Sequence, residues 1–255
     1  MLTDTTTSLS SARLSVLKVN VNDEASLSNQ ELETLEDKIK QKIKDRGRID
    51  QLFVTKAVGK NKNIPVPRAK LNIITTISTL KVLSLRKCNL TSLPKNIVDL
   101  KKLKYLSLSH NKFRQWSSLA SISQLINLET LILDNNELVV PPEFQIFTLS
   151  KLRVLNLSNN RLKYLPTEIT TLKELKDLYI DGNLLEHIPK QLLCLEESLK
   201  RISLARNPFT DKEARICEKG NVKRIMKYLK HQKAQASSKD IIIKKKVGST
   251  EINIK

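Results

Sequence analysis

Hydrophobic positions recur along this chain at intervals that fit neither a long helix nor a long strand. From Leu80 to Phe209 an eleven-residue phrase returns six times, with leucine-type residues at the first, fourth, sixth and eleventh places and Asn or Cys at the ninth. The phrases read LKVLSLRKCNL, LKYLSLSHNKF, LETLILDNNEL, LRVLNLSNNRL, LKDLYIDGNLL and LKRISLARNPF, starting at Leu80, Leu103, Leu128, Leu152, Leu175 and Leu199. Those starts are 23, 25, 24, 23 and 24 residues apart. Such a period predicts a strand-and-turn unit that stacks on copies of itself into a curved solenoid. Within LxxLxL the side chains alternate, so places four and six are expected inside and places three, five and seven outside, on the sheet surface. The ninth-place residues Cys88, Asn111, Asn136, Asn160, Asn183 and Asn207 fall where the chain must leave the strand. A side-chain amide there has donors and an acceptor for the backbone groups of the neighbouring turn. Cys88 is expected to be a small buried residue.

After the strand, most units continue to Leu-Pro or an equivalent: Leu93-Pro94, Val140-Pro141, Leu165-Pro166 and Ile188-Pro189. Apolar pairs such as Ile97 and Leu100, or Ile169 and Leu172, follow. The second unit has Trp116 and then SSLASISQL instead, which predicts a longer and more helical return segment. These motifs resemble the leucine-rich repeats of the intracellular, Leu-Pro-containing class, over about half of the chain. The resemblance implies an α/β fold: a curved solenoid with a parallel sheet on its concave face and short helical or 3-10 turns on its convex face.

A stacked array exposes an apolar face at each end unless something covers it. At the C-terminal end, Thr210 with Glu213 reads as a capping box, Gly220 as a helix stop, and Val222, Ile225, Met226 and Leu229 as one apolar helical face. This ending resembles the terminal segments of several intracellular leucine-rich repeat proteins, and residues 210–230 are expected to be a helical cap. At the other end, Ile49, Leu52, Val54 and Ala57 follow the repeat spacing, with Ile64-Pro65, Ile73 and Ile77 after them. Ser28 with Glu31 opens a predicted helix carrying Leu32, Leu35, Ile39 and Ile43 up to Gly47. The expected organisation is a flexible segment 1–27, a helix and degenerate capping repeat over 28–79, six repeats over 80–209, the cap, and a basic flexible tail over 231–255. Within the first segment, Leu17, Val19 and Val21 alternate as an edge strand would.

Chemistry is sparse. The three cysteines form neither a CxxC pair nor an even framework, which points to a reducing, cytoplasmic or nuclear, compartment. There is no apolar run of membrane-spanning length, the first residues lack the blocks of a secretory signal, and the chain is expected to be monomeric. No phosphate loop, metal-ligand spacing or nucleophile elbow occurs, and His110, His187 and His231 fall in separate parts of the array, so neither an enzyme nor a cofactor is expected. The outward strand places therefore carry the functional reading. Tyr105, Ile132 and Tyr179 put apolar bulk among small polar residues; Asp134, Asp177 and Asp181 read as an acidic patch, bracketed by Arg86 and Lys87 on one side and Arg201 and Arg206 on the other. With His110 and Asn156 they make up the candidate face for a protein partner, with the tyrosines as anchors.

Charge supplies the competing reading. The net charge is +19, distributed as +4 over residues 1–79, +7 over 80–209 and +8 over the last 46, and the isoelectric point is near 9.8. Attraction to RNA or to an anionic surface would then run through Lys223, Arg224, Lys227 and Lys230 of the cap and Lys244, Lys245 and Lys246 of the tail. Aromatic residues are not interleaved with these lysines as a base-stacking platform requires. The triple lysine alone is a weak nuclear-import motif.

Overall fold

In the computed structural model the backbone is described for residues 16–21, 29–56, 68–139 and 145–248, and side chains for 37–54, 72–139 and 146–236. Eight strands form one parallel sheet in chain order: β1 (Val16–Val21), β2 (Gln51–Lys56), β3 (Val82–Arg86), β4 (Tyr105–Ser107), β5 (Thr130–Ile132), β6 (Val154–Asn156), β7 (Asp177–Tyr179) and β8 (Arg201–Ser203). Return segments on the convex side are 3-10 turns at Lys95–Asp99, Trp116–Gln124, Gln145–Thr148, Thr167–Thr171 and Lys190–Leu195. The result is a curved leucine-rich repeat solenoid.

The register follows the leucines. Leu83, Leu106, Leu131, Leu155, Leu178 and Ile202 pair in one column from β3 to β8, and all six are buried. Each fully buried leucine contributes about 1.5–3 kcal/mol of transfer free energy, so the column alone strongly favours this stacking. Pro94, Pro166 and Pro189 stand just before their 3-10 turns at φ −64°, −70° and −63°. Their fixed φ sets the chain's direction into the turn. The second unit, without that proline, has the longest turn, nine residues, with Trp116, Leu119 and Ile122 buried. Val140-Pro141 and Ile64-Pro65 lie outside the described residues.

Both ends take more structure than the repeat phrase announces. β2 pairs with β3 in the register of the true repeats, Leu52 against Leu83 and Val54 against Leu85, so the degenerate unit contributes a full strand. β1 adds the edge strand that the Leu17, Val19, Val21 alternation suggests. The helix α1 (Asn29–Arg46) ends at Gly47 in the left-handed region, with Gly47 N–H bonded to Ile43 O; Ile39 enters the core while Ile43 stays exposed. A second helix, α2 (Arg68–Thr75), returns the chain to β3 and buries Ile74.

At the C-terminal end α3 (Asp211–Cys217) and α4 (Val222–Gly248) form the cap, with Cys217, Ile225, Met226 and Leu229 buried. Burial pushes the Cys217 thiol up to about 12, with the nearby Glu213 acting in the same direction, so it is an inert core group. Thr210 caps α3 by accepting from Glu213 N–H. The Glu213 carboxylate takes the Thr210 hydroxyl, Ile188 N–H, the Tyr228 hydroxyl and a contact from His187 Nδ1, fastening the last repeat to both cap helices.

The expected flexible tail needs correction for 231–248, where α4 continues to Gly248. Between Leu229 and Gly248 there is no glycine or proline, and Lys, Gln and Ala dominate up to Ala236. Such residues propagate a helix already nucleated by the packed cap, with no need for a buried face of their own. Residues 249–255 lie outside the described ones.

Candidate functional site

A ladder of ninth-place amides holds the strand ends in position. Asn160 is typical: its Nδ2 donates to Leu133 O and Leu157 O at 3.0 Å, and its Oδ1 accepts from Leu138 N–H at 3.0 Å. Asn111, Asn136, Asn183 and Asn207 repeat this pattern on their own neighbours. Cys88 is buried as expected, and its thiol donates toward Val54 O at 3.7 Å, the carbonyl that an amide would reach.

At the eighth place the backbone is left-handed in every unit: Lys87, His110, Asn135, Asn159, Gly182 and Arg206 have φ between 53° and 63°. The first five of these N–H groups donate to the seventh-place carbonyl of the next unit: Ser109, Asp134, Ser158, Asp181 and Ala205 in turn. Asn and Gly tolerate that conformation, whereas lysine, histidine and arginine hold it against a steric cost. This column serves the turn first. A Cβ at Gly182 would also meet the Asn159 side-chain oxygen, which would have to turn aside.

On the concave sheet the registers place Tyr105, Thr130, Val154, Asp177 and Arg201 in one row and Ser107, Ile132, Asn156, Tyr179 and Ser203 in the next. Tyr105, Ile132, Val154 and Tyr179 are half-buried, so part of each apolar surface faces outward. Burial raises the Tyr179 phenol above its ordinary value, with Asp177 adding to the shift and Arg201 opposing it. The phenol stays neutral throughout the physiological range.

Four expected contact residues are engaged within the fold. Asn156 is buried and accepts from Ser158 N–H at 2.9 Å. Asp177 is buried and held by Arg201 through Nε at 2.7 Å and Nη2 at 2.5 Å, which keeps the Arg201 guanidinium charged. Asp181 takes the Ser158 hydroxyl at 2.6 Å and Arg206 Nη2. Asp134 accepts from Ser109 Oγ and Asn135 Nδ2, both at 2.5 Å. The acidic patch is therefore not an open anionic surface: serine hydroxyls of the preceding units and arginines of the last unit occupy its oxygens. Alternation along a strand gives the side of the sheet but not what a side chain grips there.

His110 is half-buried, with Arg86 Nη2 3.1 Å from its Nε2. Burial lowers its pKa, Arg86 and Lys87 lower it further, and Asp134 opposes them. The ring is neutral at pH 7, so its Nε2 accepts from Arg86 and the 3.9 Å approach to Asp134 carries no full ion pair. Burial would raise the Asp181 pKa, but hydrogen bonds from Ser158, Arg206 and Ser203 and the Arg206 charge bring it below 3.8. A carboxyl with a lower pKa folded than unfolded binds protons more tightly in the unfolded chain. Its contribution to stability is thus complete above pH 3.8 and is lost as pH falls through the folded value. The stability gap between the wild type and Asp181→Asn is expected to be widest at neutral pH and to close in acid, as urea titrations at several pH values would show.

Of the candidate nucleic-acid residues, Lys223, Arg224 and Lys227 are exposed on α4. Lys230, also exposed, pairs with Glu196 at 2.7 Å and ties α4 to the last 3-10 turn. The side chains of Lys244, Lys245 and Lys246 lie outside the described residues. Among the described residues no group of three or more His, Cys, Asp or Glu side chains is arranged to hold a metal ion, and no helix is long and apolar enough to cross a membrane.

The second-place residues Lys81, Lys104, Glu129, Arg153, Lys176 and Lys200 stack at the entry to the strands, each N–H from Lys104 onward donating to the carbonyl of the one before. Lys104 pairs with Glu129 at 2.7 Å, and Arg153 reaches Glu129 at 3.8 Å and Glu174 at 3.3 Å. The signal for this column in the sequence is the residue after each initial leucine, which lies at the flank of the strand and not on its outward face.

The family model for the leucine rich repeat matches residues 78–138, 126–185 and 150–209, together just over half of the chain. The chain belongs to the leucine-rich repeat family. Over 70 residues it is 40% identical to a probable serine/threonine-protein kinase of Dictyostelium discoideum, covering 28% of this chain and 5% of that protein. Over 85 residues it is 40% identical to human leucine-rich repeat-containing protein 66, covering 32% of this chain and 9% of that one. The chain thus spans less than a tenth of the length of these relatives. Among solved structures, a Leptospira interrogans leucine-rich repeat protein superposes with a TM-score of 0.52 at 33% identity, over 62% of this chain and 38% of that one. Internalin C2 of Listeria monocytogenes shares the fold at 21% identity and a TM-score of 0.50, over 64% of each chain. The repeat array is, in general terms, a protein-interaction module, and its likeness to kinases is confined to this kind of partial match.

Proposed function

We propose that the chain is a non-catalytic scaffold whose concave sheet grips a segment of a protein partner, with Tyr105, Ile132 and Tyr179 as anchors. The observation that carries this reading is the contrast across the sheet. Asp134, Asp177 and Asp181 are hydrogen-bonded or ion-paired to neighbouring side chains, while Tyr105, Ile132 and Tyr179 are only half-buried and keep part of their surface outward. Large aromatic side chains on such a surface concentrate binding energy. Tyr105 and Tyr179 stand on β4 and β7, three strand spacings or about 14 Å apart across the sheet and one row apart along it. A helix of about ten residues spans that distance. The three free cysteines, of which Cys194 is exposed, suit a reducing compartment.

The double variant Tyr105→Ala/Tyr179→Ala is expected to lose about tenfold or more in affinity for the natural partner. Its melting temperature should stay within a few degrees of the wild type, since both rings are only half-buried. Quantitative capture from the source cell, with thermal melts of both proteins, makes the measurement; undiminished capture would remove the concave face from the account.

A further inference from the structure

We infer that the strand-entry rim of this sheet is a docking surface for an acidic protein segment lying beside the tyrosine anchors. The inference rests on the concave-face reading and specifies the partner's chemistry. The two residues before each repeat start, together with the second-place residue, comprise nine Lys or Arg and three Glu. Six of the seven excess positive charges of residues 80–209 therefore belong to this one edge.

Its distribution is uneven in a useful way. Lys104, Glu129, Arg153 and Glu174 neutralise one another in the middle. Lys101, Lys102, Lys173, Lys176 and Lys200 are exposed, and none has a described carboxylate within ion-pair distance. Lys176 directly precedes Asp177 and Lys200 directly precedes Arg201, so these free ammonium groups adjoin the concave rows at the Tyr179 end; Lys101 and Lys102 do so at the Tyr105 end. Stacked second-place residues are one strand spacing, about 4.8 Å, apart, and Lys104 to Lys200 covers four such steps, about 19 Å. That length matches the span between the two tyrosines plus their flanks.

A protein segment fits this surface better than a nucleic acid. The neutralised middle of the rim offers no net counter-charge to an unbroken phosphate backbone, and no aromatic ring is interleaved with the lysines for bases to stack on. A peptide can place carboxylates against the two lysine clusters and apolar side chains against Tyr105 and Tyr179 at the same time. Exposed charges of this kind chiefly steer association and set register, and they weaken with salt.

The test uses the full chain and two labelled probes, a polyglutamate 20-mer and a poly(U) 20-mer, titrated by fluorescence anisotropy at low and high salt. Two variants of equal charge are compared: Lys101→Glu/Lys176→Glu/Lys200→Glu on the rim, and Lys219→Glu/Lys223→Glu/Lys227→Glu on the cap. All six side chains are exposed and lie outside the core, and circular dichroism melts check that both variants fold. The expected result is salt-sensitive polyglutamate binding that falls about tenfold in the rim variant and about twofold or less in the cap variant. Equal loss in both variants, no polyglutamate binding, or tighter and rim-dependent binding of poly(U) would overturn the inference. Each of those outcomes leaves the tyrosine reading to be decided by Tyr105→Ala/Tyr179→Ala, whose effect on partner capture does not depend on the rim.

Discussion

Replacing Asn160 by leucine is expected to cost about 3–5 kcal/mol, a large part of the stability of a single domain. Leucine has the same branching and number of side-chain heavy atoms and is somewhat larger, so no cavity is left and the loss is chiefly one of hydrogen bonds. Leu133 O and Leu157 O lose the amide donor, and Leu138 N–H loses its acceptor, all at a buried turn. Each unpaired buried group carries a desolvation penalty of about 1–3 kcal/mol. The same change at Asn207 should cost less, because that amide belongs to the last unit and is only half-buried. Urea denaturation of both variants reads this difference. A loss below about 1 kcal/mol for Asn160→Leu would mean that the ladder is incidental to the stacking.

Gly220→Ala is the second large effect. Gly220 lies between α3 and α4 at φ 56°, and a Cβ there would run into Ile202 O of β8. The obstacle is backbone at the edge of the sheet, so no side chain can rotate out of the way. Left-handed strain of about 1–2 kcal/mol adds to an overlap cost of about 1–3 kcal/mol. The cap is then expected to shift off the last repeat, uncovering Ile202, Leu204 and the apolar side of α4. Increased dye binding to apolar surface and concentration-dependent association in size-exclusion chromatography would register it. Gly47→Ala is the control: its φ of 69° is strained as well, but nothing lies within 4 Å of the added carbon. It should lower stability modestly without exposing the array's end. Matching behaviour of the two variants would show that close approach to β8 is not what Gly220 provides.

How much of this was legible in the sequence depends on what each residue is asked to do. Leu131 or Leu155 can be placed from spacing alone, because burial in a stacked strand requires only the right side and the right size. Asn160 is legible for the same reason: the turn needs a side chain with donors and an acceptor, and few residue types supply both. Asp177 and Asn156 defeat this reasoning, since their outward direction is correct and yet Arg201 and Ser158 of the fold engage them first. Lys87 and Arg206 show a further limit, for neither side chain advertises a left-handed backbone. The continuation of α4 is not legible, because a solvated helix seeded by a packed cap leaves no periodic apolar trace. The rim is spread over six units, and only the stacking brings its lysines into one column.

Native-state amide hydrogen exchange tests the central claim most directly, that the recurring leucines stack these units into one parallel sheet and leave its concave side to bind. Tyr105, Thr130, Val154 and Asp177 N–H donate to the second-place carbonyl of the preceding unit, and Leu138 and Leu162 N–H donate to Asn160 and Asn183. These six amides should be among the slowest in the protein and should exchange together, in a single cooperative opening of the array. Exchange of these amides as fast as those of the exposed convex turns would contradict the stacked sheet and the binding surface assigned to it.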